Sequence, residues 1–285
     1  MGKIFDYITT INPDIFMAVI LACLFSLEQV LPNVVSFFKR TPHLINSILL
    51  QIGYVIINYG LATLVIKLLN WTAENKIGLF NTIQISYSLK IFIGIFCIDF
   101  INYWTHRVNH SLEIFWRLHR VHHSDTTMDS STTYRFHPLD AILDNSASVV
   151  AAILFGLDGS ILILWLILYM PLLVLHHSNF IMPKWFDKTF GKIIVSPNFH
   201  KIHHHQHQEF TDSNYGLIFI FWDKIFKTFK KIPVNEIKYG LSEFDNPNRQ
   251  KFWFLLKSPF INLKNKTAAN ENSVGKGHDT TQYEQ

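Results

Sequence analysis

Four stretches of this chain are too apolar to sit in water and too long to be ordinary core helices. Residues 14–38, 44–69, 83–104 and 141–177 hold long runs dominated by Ile, Leu, Val, Phe and Ala. A helix that crosses a bilayer needs about 20 such residues. Backbone in lipid must be hydrogen-bonded internally, which leaves helix as the form open to these runs. The chain is 16% charged, against about 25% in an average soluble domain. The shortage is local, because residues 105–140 and 182–285 are polar, basic and rich in histidine. The pattern specifies an all-α integral membrane protein with four to five transmembrane or deep hairpin helices and a cytoplasmic, helical, His-rich cap. Met1–Pro13 lacks the basic start and small-residue cleavage site of a signal peptide, so no cleaved leader is expected.

The first span is expected over Ile15–Phe38, interrupted by Glu28 and kinked near its end at Pro32, with Lys39-Arg40-Thr41-Pro42 as a basic turn. Leu44–Leu69 is the second span, Asn70–Asn81 a polar loop, and Ile83–Trp104 the third span. Ala141–His177 is long enough for two crossings or a deep hairpin, broken at Gly156-Leu157-Asp158-Gly159, which returns both ends to one side. Of the 25 Lys and Arg, 19 lie beyond residue 105. Lys and Arg mark the cytoplasmic face of membrane proteins and its anionic lipid. With Lys39 and Arg40 inside, the 70–81 loop falls outside and the histidines fall inside. Three regions follow: N-terminal membrane helices (1–82), a catalytic domain (83–231) and a C-terminal cytoplasmic segment (232–285), with a disordered tail from about residue 265. The charges form no basic stripe with stacking aromatics on a soluble fold, which argues against a nucleic-acid partner.

The polar half carries most of the 15 histidines in three clusters. They are His106/His110, His119/His122/His123 and His200/His203/His204/His205. Residues three or four apart share a helix face, so each cluster aims two or three imidazoles in one direction. Neutral imidazole is a common ligand for Fe, Zn, Cu and Ni. Eight or more convergent histidines exceed what one tetrahedral zinc takes, so the count points to two metal ions. His137 and either His176 or His177 stand apart as further candidates. His43, His207 and His278 read as ordinary polar residues. Cys23 and Cys97 lie inside apolar runs and read as buried hydrophobes. Two cysteines cannot build a four-thiolate iron–sulfur cluster, so electrons for redox chemistry must come from another protein.

The motifs around these histidines resemble the membrane-bound fatty acid hydroxylase/sterol desaturase superfamily. The resemblance covers roughly residues 85–230. It is carried by Asp99–Arg107 with His110, by Trp116–Ser124, by Arg135–Asp140, and by Pro197–His204 continuing to Asp212–Gly216 and Trp222–Phe226. Lys227 stands where that family often has glycine. The resemblance implies a membrane di-iron oxygenase that uses O2 and external electrons to hydroxylate or desaturate a C–H bond of a lipid or sterol. Two Fe ions are the implied cofactor, and a cytochrome b5-like protein, a ferredoxin or a similar carrier is the implied donor. Carried over by position, the ligands are His106, His110, His119, His122, His123, His200, His203 and His204. His137 and His177 are additions, and the register of His205 stays open.

Asp99, Glu113, Asp125, Asp140 and Asp144 are candidates to hydrogen-bond ligand N–H groups, with Asp99 foremost because a carboxylate in an apolar run needs a partner. Arg107 and Arg120 are expected to pair with such acids or with lipid phosphate. Two other functions remain open on the residues alone. A zinc-dependent lipid hydrolase needs an open metal position and a general base, but no His-Glu-x-x-His is present. A metal-binding or transport protein needs ionisable ligands near the bilayer midplane, whereas these histidines follow the spans.

Overall fold

The structure, a computed structural model, describes residues 7–30 and 37–263, the side chains of 37–40 aside. Among the described residues the chain is helical, with two isolated β-bridges in place of a sheet. Four segments are long and apolar enough to cross a membrane: Pro13–Val30, Thr41–Thr82, Tyr87–Ser111 and Gly159–His177. The chain is a multi-pass membrane protein. Pro32 and the tail expected from about residue 265 lie outside the described residues.

The first helix, α1 (Pro13–Val30), runs toward the histidine end of the molecule. The second, α2 (Phe37–Glu74), has 38 residues, about 57 Å at 1.5 Å per residue, longer than a bilayer core. Residues 39–42, expected as a turn, are helical in α2 and include Pro42. Near the start of a helix a proline forfeits one ladder bond, which leaves the helix intact. The polar stretch after residue 70 is likewise part helix: α2 runs through Glu74 and a one-turn helix follows at Leu79–Thr82.

Helix α3 (Tyr87–Ser111) opens with Ser86, whose hydroxyl accepts from Leu89 N, and carries the first histidine pair on its last two turns. Leu112 breaks it from the short, strongly amphipathic α4 (Glu113–His123). The apolar run 141–177 forms the anticipated hairpin of α5 (Asp140–Phe155) and α6 (Gly159–His177). Gly156 closes α5 at φ 68, and the Asp158 carboxylate caps α6 by accepting from Ser160 N and Ile161 N. A Cβ on Gly78, at φ 104, would lie 2.1 Å from Gly156 N. Only glycine permits this backbone conformation and close approach together, and the contact locks the end of the bundle opposite the histidines.

Ile98 of α3, Ala151 and Ala152 of α5, and Ile161 and Trp165 of α6 form the main core cluster within the bundle. Small residues let apolar helices approach closely in lipid. At the other end, Pro197 starts α7 (Pro197–His203), with the Ser196 hydroxyl accepting from Asn198 N. The chain then closes over α4: Arg120 donates to Ser258 O and Ile261 O, and Gln250 donates to Ser124 O and Phe244 O.

Candidate metal centre

The last turns of α3, the C-terminal half of α4, the end of α6 and all of α7 meet at one end of the bundle. Nine imidazoles converge there in two groups. His106, His110, His119, His123 and His203 form one; His122, His177, His200 and His204 form the other. Within each group one ring nitrogen per residue lies within 4.8 Å of the others.

Each His-x-x-His-His run serves both groups instead of aiming one way. His119 and His123 enter the five-membered group while His122 enters the other; His200 and His204 enter the four-membered group while His203 crosses. Helix geometry requires this split, because positions i+3 and i+4 diverge by about 100°. The two groups lie on either side of the shared stripe.

Backbone acceptors fix the tautomers. His106 Nδ1 donates to Tyr215 O (2.9 Å), His203 Nδ1 to Ser213 O (2.7 Å) and His177 Nδ1 to Leu173 O (2.7 Å). A carbonyl can only accept, so each of these rings presents a bare Nε2 lone pair inward. His177 Nε2 then stands 3.0 Å from His122 Nε2 and 3.2 Å from both His204 Nε2 and His200 Nε2. One lone pair can accept one proton, so hydrogen bonds cannot satisfy these contacts. Two nitrogens bound at right angles about 2.1 Å from one ion lie about 3.0 Å apart, which is the spacing seen. In the other group His106 Nε2 lies 3.2 Å from His119 Nε2, and the buried Nε2 atoms of His110, His123 and His203 have no partner. Both donor sets therefore fit a transition-metal ion.

Electrostatics agree. Burial, reinforced by neighbouring imidazoles, holds His119, His122, His123, His200, His203 and His204 well below the ordinary histidine value. They stay neutral at pH 7 and keep their lone pairs. Burial also brings Lys201 down to about 7, which weakens a cation placed beside the ligands.

The structure does not bring His137 into either group. Its Nδ1 accepts from Leu139 N and its Nε2 donates to Leu256 O. His176 Nε2 donates to Val195 O, so of the pair at the end of α6 it is His177 that faces the centre. His205 Nδ1 accepts from His207 N, and its backbone pairs with Tyr239, outside both groups.

None of the five acids singled out from sequence touches a ligand ring. Asp99, fully buried, accepts from Ile218 N, Phe219 N and Trp222 Nε1. Glu113 pairs with Arg117, Asp125 accepts from Thr127 and Thr132, Asp140 from His137 N and Asp144 from Tyr54. The carboxylate that meets a ligand is Asp212, whose Oδ1 lies 3.2 Å from His110 Nδ1. Segment 212–215 thus orients three of the five rings, and Asp223 holds it by accepting from Tyr215 N, Gly216 N and the Thr228 hydroxyl. The clustering of Asp212–Gly216 just after the third histidine run was the available signal. Arg107 lies over the Trp104 ring, and Arg120 is taken up by carbonyls. Lys227 takes φ 56, a left-handed conformation that glycine favours. Phe136 stacks on His122 at 4.2 Å.

Two clusters of buried, neutral imidazoles at one end of a multi-pass membrane protein could each hold a metal ion. Residues 91–228, the histidine-bearing part of the chain, match the fatty acid hydroxylase family model. Among curated proteins, the chain is 31% identical to alkylglycerol monooxygenase of Caenorhabditis elegans over 48% of this chain and 26% of that one. It is 29% identical to human lathosterol oxidase over 62% of this chain and 55% of that one. It is 32% identical to methylsterol monooxygenase 2-2 of Arabidopsis thaliana, over 46% and 49%. The matches thus span about half the length of these relatives or less. No solved structure matches the chain at a significant level.

Proposed function

We propose that this protein is a membrane di-iron oxygenase that uses O2 and external electrons to hydroxylate or desaturate a C–H bond of a lipid or sterol. The observation that carries the reading is the pair of imidazole groups, five and four, with lone pairs turned inward at the ends of membrane helices. His106, His110, His119, His123 and His203 would hold one iron and His122, His177, His200 and His204 the other. The iron pair, when bound, supplies the oxidising power toward an unactivated C–H bond that side chains lack. The three named relatives are an oxidase and two monooxygenases by name, which supports an oxidoreductase.

The chain's own residues hold the ligand set rigid and keep it neutral. Tyr215, Ser213 and Leu173 carbonyls fix the ring tautomers, Phe136 stacks on His122, and eight of the nine rings are buried. Trp116, its ring 4.9 Å from His110 and 5.4 Å from His123, lines a polar cleft of about 270 Å³ together with His110 itself. That cleft is the side from which an external donor would deliver electrons. The Lys/Arg asymmetry supports a cytoplasmic location for this end.

A zinc hydrolase has no use for nine imidazoles and no base placed among them, and a transport path is not served by two closed, buried ligand sets. The test is lipid profiling of cells with and without the protein under ¹⁸O₂. A lipid that gains ¹⁸O, or a double bond, only when the protein is present supports the reading. Unchanged lipids with an iron-loaded protein overturn it.

A further inference from the structure

Beside the four-imidazole group lies a cavity of about 310 Å³ whose lining carries no charged residue. Its walls include stretches that follow two of the ligand-bearing segments and a third stretch that pairs beside another. Thr127 and Met128 follow His122 and His123 of α4, Asn179 and Ile181 follow His177 of α6, and Tyr239 is bridged to His205, next to His204. The cavity wall thus begins two residues beyond His177 and is bridged to the neighbour of His204.

One polar side chain in this wall is unaccounted for. Asn179 is 7% exposed, and neither its Oδ1 nor its Nδ2 has a hydrogen-bond partner. Leaving a buried carboxamide unpaired costs free energy that a merely structural residue would avoid. Its backbone is not loose, since Asn179 N donates to Glu28 Oε1 (2.8 Å), and the same carboxylate accepts from Ser130. Glu28 is itself buried in α1, so the Asn179 backbone is tied to α1 and through it to Ser130. Met128 is held at φ 41, a conformation that non-glycine residues rarely adopt. Such strain persists where surrounding structure over-determines it, and clusters at ligand sites.

A carboxamide offers one acceptor and two donors and no charge. It complements a hydroxyl or an amide. An ionised carboxylate or phosphate held against this lining would find no counter-charge there. We infer that this cavity receives the neutral, hydrogen-bonding head of the lipid substrate, held by Asn179, and that it disfavours lipids with an anionic head. The inference rests on the lipid-oxygenase reading and narrows its substrate class to neutral lipids.

The test uses two photoactivatable probes with one and the same diazirine-bearing chain, a long-chain alcohol and the matching carboxylic acid. Each is added to the full-length, iron-loaded protein in nanodiscs, and cross-linked peptides are mapped by mass spectrometry. Labelling of residues 127–128, 179–181 and 234–239 is normalised to that of the lipid-facing α2. The alcohol is expected to label these peptides about tenfold more than the acid, and Asn179→Leu to remove about tenfold of the alcohol's labelling while leaving the acid's unchanged. Equal labelling by the two probes in the wild type overturns the inference, and needs no variant. So does wild-type labelling by the alcohol in a folded Asn179→Leu protein. Because the readout is cross-linking, it stands apart from turnover. Absence of both oxygen incorporation and new double bonds in every lipid sinks the oxygenase reading, whereas indifference to the head group sinks only this one.

Discussion

Asp223→Leu tests how far the metal centre depends on groups that never touch it. The Asp223 carboxylate is fully buried and accepts from Tyr215 N (2.8 Å), Gly216 N (2.9 Å) and the Thr228 hydroxyl (2.7 Å). Leucine has the same branched skeleton and no acceptor, so three buried donors lose their partner. At about 1–3 kcal/mol each the loss is about 3–9 kcal/mol. Burial pushes this carboxylate up to about 6, so its removal relieves a desolvation cost and the net effect falls near the low end, about 3 kcal/mol. The larger consequence is local. Tyr215 O receives the proton of His106 Nδ1, and freeing segment 212–216 lets His106, His110 and His203 turn. Losing such an outer partner typically weakens metal binding about 10–100-fold. The loss is confined to the five-imidazole group, because His177 is oriented by Leu173 O on another helix. Asp223→Asn keeps an acceptor at Oδ1 and is expected to be mild. Chelator-competition titrations on purified protein measure both affinities. The reasoning fails if folded Asp223→Leu protein holds both ions as tightly as the wild type.

Other consequences follow from the same geometry. The ligand histidines of α4 and α7 are held well below their unfolded value near 6.5. The unfolded chain therefore takes up protons that the folded apoprotein refuses, and stability is present above pH 6.5 and lost on acidification. Each such histidine forfeits up to about 1.4 kcal/mol at pH 5.5, so the unfolding midpoint of metal-free protein should drop between pH 7.5 and 5.5; a flat profile contradicts the burial of neutral imidazoles. Because neighbours in the second run serve different groups, His122→Ala with His123→Ala should strip both ions. His122→Ala with His177→Ala should leave about one, as each single variant does; identical iron contents in the two double variants refute the division. Gly78→Ala meets Gly156 N at 2.1 Å with φ 104 and should lower the thermal midpoint sharply, whereas Gly60→Ala, with open space around it, should hold or raise it. Equal midpoints would contradict the packed hairpin end.

Much of this was legible in the sequence, and the limit is physical. Spans were readable because length and apolarity are local, and the α5–α6 break because Gly156 and Asp158 punctuate it within four residues. The ligand runs were readable because helical spacing is local too. What escaped was the orientation of individual residues and their long-range pairing. Asp99 was expected near the ligands, yet its partners lie at residues 218–222, more than a hundred positions away. Asp212 and Asp223 act through carboxylates whose partners, His110 and the 215–216 backbone, are chosen by the tertiary fold. The choice of His177 over His176 depends on the phase at which α6 meets α7. His137 sits in a turn where Leu139 N occupies one ring nitrogen and the distant Leu256 O the other.

The most direct test of a two-ion centre is iron counted per chain in purified wild-type, His176→Ala and His177→Ala proteins. His177 Nε2 touches three ligand nitrogens while His176 faces Val195 O. About two irons in the wild type and in His176→Ala, with about one in His177→Ala, is the expected result. A single zinc per chain, or equal iron in the two variants, would contradict the centre.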